Sequence, residues 1–184
     1  MTPRLAYYKI LSLLSDFHSN SSALIADIVS NSLEWIRPPP NYVKINCDAS
    51  LNVEEGKGAI AAWVQDSHAL TMATRCRPVT GCTDVPDAEG QALRLGMELA
   101  NELHLHNVIF ESDCSEVVAS INKKLYPSHW SQQWFNRCCR FLSQQLKWKV
   151  QLVRREANGL VDALAKKSRV FDLHWTRLDA VPLL

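Results

Sequence analysis

Four acidic side chains stand in an order that suggests joint action. They are Asp48 in Lys44-Ile-Asn-Cys-Asp-Ala-Ser50, Glu89 in Asp87-Ala-Glu-Gly90, Asp113 in Glu111-Ser-Asp113, and Asp162 in Asn158-Gly-Leu-Val-Asp162. Carboxylates are hard oxygen ligands, and a set gathered from several element ends can hold two divalent cations and cut a phosphodiester. Each acid also has a plainer reading. Asp48 can cap the turn after a strand, and Glu89 can complement a helix dipole. Asp113, with Glu116 three residues on, can be a helix N-cap. Asp162, one turn into a helix after the cap candidate Asn158, can also serve the dipole. Four separate caps at these four places would be a poor coincidence, whereas one shared site explains them all.

The elements that must position these acids follow from periodicity. Tyr42 to Asp48 alternates with period two and reads as a strand with Asp48 at its end, on the face opposite Ile45 and Cys47. Gly58 to Gln65 and Ala69 to Arg75 complete an antiparallel meander joined by short turns. Ala88, Ala92, Leu95, Leu99 and Leu103 then form a helical stripe from about Asp87 to Leu103. Asn107 to Phe110 is a fourth strand, Cys114 to Leu125 and Trp130 to Leu146 two helices, Lys147 to Val153 a fifth strand, and Asn158 to Arg169 a last helix. The expected class is α/β: a five-stranded mixed sheet, antiparallel over strands one to three and parallel over four and five, flanked by helices. Pro38-Pro39-Pro40 forbids helix continuation and divides a helical extension, residues 1–37, from the main domain, residues 38–170. The tail, residues 171–184, is expected to be irregular, with Trp175 and Leu178 docking back.

Length and composition, 184 residues with 47% hydrophobic and 21% charged, suit one globular domain with a short extension. No apolar run approaches the ~20 residues of a membrane-spanning helix, and Met1 to Ser15 reads as an amphipathic helix without a cleavage site. The six cysteines form no C-x-x-C pair, which argues against a zinc site and for reduced thiols inside the cell, in nucleus or cytoplasm. The net charge of +1 hides an asymmetry. From Lys123 to Arg169 eleven bases face two acids, a local +9, with Tyr126, Trp130, Trp134, Phe135, Phe141 and Trp148 interleaved. Such a segment suits a phosphate backbone, although a solvated helix face over ordinary core aromatics would look the same.

The residues around the acids resemble the type 1 ribonuclease H domain, in the variant found in plants and at the ends of retroelement polyproteins. Asp48-Ala-Ser50 stands where that family has Asp-Gly-Ser, Ala88-Glu89 with Ala92 matches A-E-x-x-A, and Glu111-Ser-Asp113 matches E-x-D. Arg155-Glu-Ala-Asn158 followed by Asp162-Ala-Leu-Ala165 matches the closing R-x-x-N-x-x-x-D-x-L-A. The likeness spans roughly residues 36–170 and implies a ribonuclease H-like fold.

It also implies a metal-dependent endonuclease acting on the RNA strand of RNA–DNA hybrids, monomeric and not membrane-bound. Two Mg²⁺ ions, with Mn²⁺ as a possible substitute, would be held by Asp48, Glu89, Asp113 and Asp162. Asp48 would bridge them, and Glu89 would also sense the 2′-hydroxyl. Ser50, Arg154, Arg155 and Asn158 would meet nucleic acid, Asn158 also ordering the loop before Asp162, and Trp130 or Trp134 would stack on a sugar. Two departures stand out: Ala49 replaces the family glycine, and the loop before Asp162 carries Arg154 and Arg155 but no histidine. They leave room for a second reading, a domesticated domain that binds nucleic acid with weak or no cleavage.

Overall fold

A computed structural model describes residues 36–82, 84–126 and 132–178; the expected helices of residues 1–35, together with Trp130, lie outside the described residues. From Arg37 onward the chain forms one compact unit. Strands β1 (Val43–Asn52), β2 (Lys57–Gln65) and β3 (Thr71–Val79) make the antiparallel meander. Helix α1 (Val85–Glu102), β4 (Val108–Ser112), α2 (Ser115–Lys123), α3 (Gln132–Gln144) and β5 (Trp148–Leu152) follow. A 3-10 turn (Arg155–Asn158) leads into α4 (Gly159–Phe171), and β6 (Trp175–Leu178) ends the described chain. The sheet order is β5-β4-β1-β2-β3-β6, with β4 parallel to both β1 and β5.

Alternation along the central strands gives each face of the sheet its own core. Ile45, Cys47, Ile60, Ala62 and Val64 meet Ala92, Leu95 and Leu99 of α1 in the large cluster, together with Phe110, Trp134 and Phe141. On the other face Ala61 and Cys76 meet Val161 and Ala165 of α4, with Trp175 packed against them. The stripe expected on α1 is therefore its buried face. That helix starts where Asp84 accepts a hydrogen bond from the Asp87 amide at 2.8 Å, with Pro86 in the first turn.

Two expectations need correction. The tail is not irregular: Trp175-Thr-Arg-Leu178 pairs antiparallel with β3, from Ala73 opposite Leu178 to Cys76 opposite Trp175. A four-residue strand of alternating burial gives little periodic signal, and Leu178 remains exposed. Asp48 is also not at a strand end, since β1 continues to Asn52 against β2. It does lie beyond β4, because the parallel pairing with β4 stops at Asn46 opposite Glu111.

Four aromatics of the basic segment belong to the interior. Trp134, Phe135, Phe141 and Trp148 are all buried, with Trp148 donating its indole N–H to the Leu105 carbonyl at 3.0 Å. Trp134 donates to the carboxylate of Asp87 at 2.8 Å, and both residues are buried. Its ring lies directly on Gly90, where a Cβ would come within 2.3 Å of ring carbons. Gly90→Ala is thus an overpacking change, expected to cost about 1–3 kcal/mol. Thermal unfolding of the purified chain should show the midpoint drop by several degrees, and an unchanged midpoint would refute this packing.

Candidate metal centre

Three of the four acids come together. Asp48 reaches the cluster from β1, Glu89 from the second turn of α1, and Asp113 from the residue after β4; one carboxylate oxygen of each lies within 4.8 Å of the others. The place is dictated by topology. Where the pairing of two parallel strands stops, the carboxyl side of the sheet opens into a crevice, and here it lies past Asn46 opposite Glu111, where β4 ends and β1 runs on beside β2 alone. Asp113 is not the N-cap of α2; Cys114 holds that position, without a side-chain cap bond.

The electrostatics are those of crowded, desolvated acids. Burial, then the Asp113 and Asp162 charges, push Asp48 up to about 8. Burial, then Asp48 and Asp113, hold Glu89 well above the usual carboxylate range, partly offset by a hydrogen bond from the Ala49 backbone. Ala49 therefore contributes a backbone group that a glycine would supply equally. Asp48 Oδ2 and Glu89 Oε2 are buried with no hydrogen-bond partner. Buried carboxylate oxygens without partners, on acids that cluster together, fit a divalent cation, whose positive charge would favour their ionised form.

Asn158 ties the acids to the fold. It is 1% exposed, and its amide Nδ2 donates to the Cys47 carbonyl at 3.0 Å, to Asp48 Oδ1 at 3.3 Å and to Asp113 Oδ1 at 3.4 Å. It sits at the N-terminus of α4 but makes no side-chain cap bond there. Its amide is spent on the acids instead.

The other expected residues are placed less uniformly. Asp162 is close enough to raise Asp48, yet it lies outside the three-acid group and accepts an ion-paired hydrogen bond from Lys166 at 2.6 Å. Ser50 is buried and accepts from Arg169 Nε at 2.9 Å. Arg154 and Arg155 are exposed, and Arg155 is near enough to lower Asp48. Trp134 is 1% exposed, so it presents no ring face to a sugar; that expectation is overturned by its packing on Gly90.

The partners of the acids went unrecognised in the sequence, although strand periodicity could have found them. Asn46 precedes Asp48 by two residues and Glu111 precedes Asp113 by two, so each shares a strand face with its acid. Asn46 Nδ2 donates to Glu111 Oε2 at 3.0 Å and to Asn158 Oδ1 at 3.1 Å. Glu111 Oε1 accepts from Lys44 at 2.6 Å and from Gln151 at 2.7 Å. Both Glu111 oxygens are engaged, which separates it from Asp113 as a ligand.

Comparison with known proteins decides the family. The family model described as reverse transcriptase-like matches residues 46–168. The chain belongs to that family, as a type 1 ribonuclease H-like domain. The domain is 26% identical over 156 residues to an Arabidopsis thaliana protein catalogued as a candidate ribonuclease H; the match covers 84% of this chain and 25% of that protein. The chain thus spans a quarter of the length of that relative. Its fold is that of the N-terminal ribonuclease H domain of a Mycobacterium tuberculosis protein, with a TM-score of 0.64 at 20% identity, covering 71% of this chain and 95% of the other. It is also that of LC11 ribonuclease H1, isolated from compost and solved with an RNA/DNA hybrid. There the TM-score is 0.61 at 15% identity, covering 70% and 97%. Among the described residues no helix is long and apolar enough to cross a membrane.

The raised acids give a signed expectation. Asp48 titrates near 8 when folded against 3.8 as a free side chain. Between these values the unfolded chain loses a proton that the folded one keeps, so the Asp48 contribution to metal-free stability is lost as pH rises from about 4 to about 8, and the raised Glu89 acts in the same direction. At pH 8, Mn²⁺ at one hundred times its Kd should restore about 2.7 kcal/mol. Asp48→Asn should unfold at a higher temperature than the metal-free parent and lose that response. Calorimetry across pH and metal checks both, and a flat profile would contradict the burial of these acids.

Proposed function

We propose that this domain is a metal-dependent endonuclease that hydrolyses the RNA strand of RNA–DNA hybrids. The observation that carries the reading is the trio Asp48, Glu89 and Asp113, crowded within 4.8 Å with two orphaned oxygens, in a domain of ribonuclease H-like fold. Asp48, Glu89 and Asp113, with Asp162 alongside, would hold two Mg²⁺ ions or Mn²⁺ in their place; bound metal supplies Lewis-acid polarisation of the scissile phosphate and a water of lowered pKa.

The chain's own residues do the rest. Asn158 orients Asp48 and Asp113 by donating to both. Its burial leaves it beneath the acids, so its effect on nucleic acid runs through them. Arg154 and Arg155, exposed beside the acids, meet backbone phosphates as planar, permanently charged donors. Ser50, held by Arg169, fixes the lip of the site rather than reaching out from it. Glu89 is the acid that would approach the 2′-hydroxyl, the group that tells RNA from DNA. The domain would work as a monomer in the nucleus or cytoplasm.

One observation favours a second reading, binding of hybrid with weak or no cleavage: Lys166 already neutralises Asp162 at 2.6 Å. Cleavage of an end-labelled RNA–DNA hybrid in Mg²⁺ and Mn²⁺ separates the two. RNA cuts should appear with either metal and fall by more than about 100-fold in Asp113→Asn, because even outer partners of metal ligands are worth ~10–100-fold. Tight hybrid binding with no cuts in either metal would overturn the nuclease and leave the binding domain.

A further inference from the structure

Behind Asn158 a buried polar chain runs on, away from the acids. Lys44, Asn46, Glu111 and Asn158 are each at most 4% exposed. Their contacts form one connected path. Lys44 pairs with Glu111, Glu111 accepts from Asn46, Asn46 donates to the Asn158 oxygen, and the Asn158 amide donates to Asp48 and Asp113. The path crosses β1, β4 and the α4 N-terminus, the same elements that must be held in register for the acids to meet.

We infer that the buried Lys44–Glu111 pair is a positioning device that sets the Asp48 and Asp113 carboxylates, acting through Asn46 and Asn158. This rests on the reading of the acids as a metal centre. A side-chain amide can turn over, exchanging its oxygen and nitrogen. Flipped, Asn158 would aim its oxygen at the accepting oxygens of Asp48 and Asp113, and its donors would be lost. Asn46 prevents that, because its own Nδ2 requires an acceptor at Asn158 Oδ1. Asn46 is held in turn because Glu111 Oε2 demands a donor. Glu111 is anchored in this buried place by its ion pair with Lys44, 2.6 Å away. One ion pair thus fixes the orientation of two amides in series, and through them the side from which the acids receive hydrogen bonds. An ion pair kept solely for stability would need no such path, since apolar residues of similar volume often serve as well.

The test uses the double variant Lys44→Met/Glu111→Gln, which removes both charges and strands neither, and Asn46→Ala, which cuts the path while keeping the pair. Mn²⁺ affinity is measured without nucleic acid, by the electron paramagnetic resonance signal of free Mn²⁺, with circular dichroism confirming the fold. Both variants should bind Mn²⁺ about 10–100-fold more weakly than the parent. The triple variant should lose no more than either, because the changes act on one path. Parental affinity in either folded variant, or fully additive losses, would overturn the device. A parent that binds Mn²⁺ but leaves hybrid uncut would sink the nuclease alone. A parent that binds no Mn²⁺ would overturn the metal centre and the positioning role together.

Discussion

Mutual repulsion among three carboxylates is the constraint on which this structure turns. Asp48 and Glu89 are almost wholly buried and share their space with Asp113, so neither can ionise cheaply. Left to themselves such groups would swing toward water. They do not, because each comes from a rigid element: the middle of β1, the second turn of a helix packed on that strand, and the residue leaving β4. The fold holds ionisable groups where charge is unfavourable, and a cation is what would let them ionise.

The supporting layer shows how that is done. Gly90 and Gly96 bring α1 close, the first under the Trp134 ring and the second against Cys47, which neighbours Asp48 in sequence. The Asp87–Trp134 hydrogen bond holds α3 onto the N-terminal end of α1, two residues before Glu89. From below, the amides of Asn46 and Asn158 supply donors where bulk water is excluded. Apolar packing sets the backbone, and hydrogen bonds set the last ångström of the side chains.

Much of this was legible in the sequence, for identifiable reasons. Period-two alternation revealed the meander, and the apolar stripe of α1 announced its buried face. Resemblance in four short motifs pointed to the acids. What escaped has physical causes too. Trp134 was expected to stack on a sugar because the resemblance implied it, yet a motif cannot show that Gly90 offers the ring a socket. The pairing of β6 depends on a partner about a hundred residues away, which four residues cannot encode alone. Lys166 is a further case: an i, i+4 partner for Asp162 is visible in helical spacing, but its competition with a metal role appears only in three dimensions.

The parallel pairing of β1 with β4 carries one more consequence. Strand β1 meets β2 through a turn of a few residues, whereas its partnership with β4 closes a loop of more than sixty, with all of α1 inside it. Non-local pairings of this kind form late and slowly, because chain entropy is lost before any contact rewards it. A folding intermediate consisting of the meander alone would contain Asp48 but neither Glu89 nor Asp113 in place. The acids therefore assemble only as the sheet closes, and a cation seated there would act as a latch on the last step of folding, slowing unfolding more than it hastens folding.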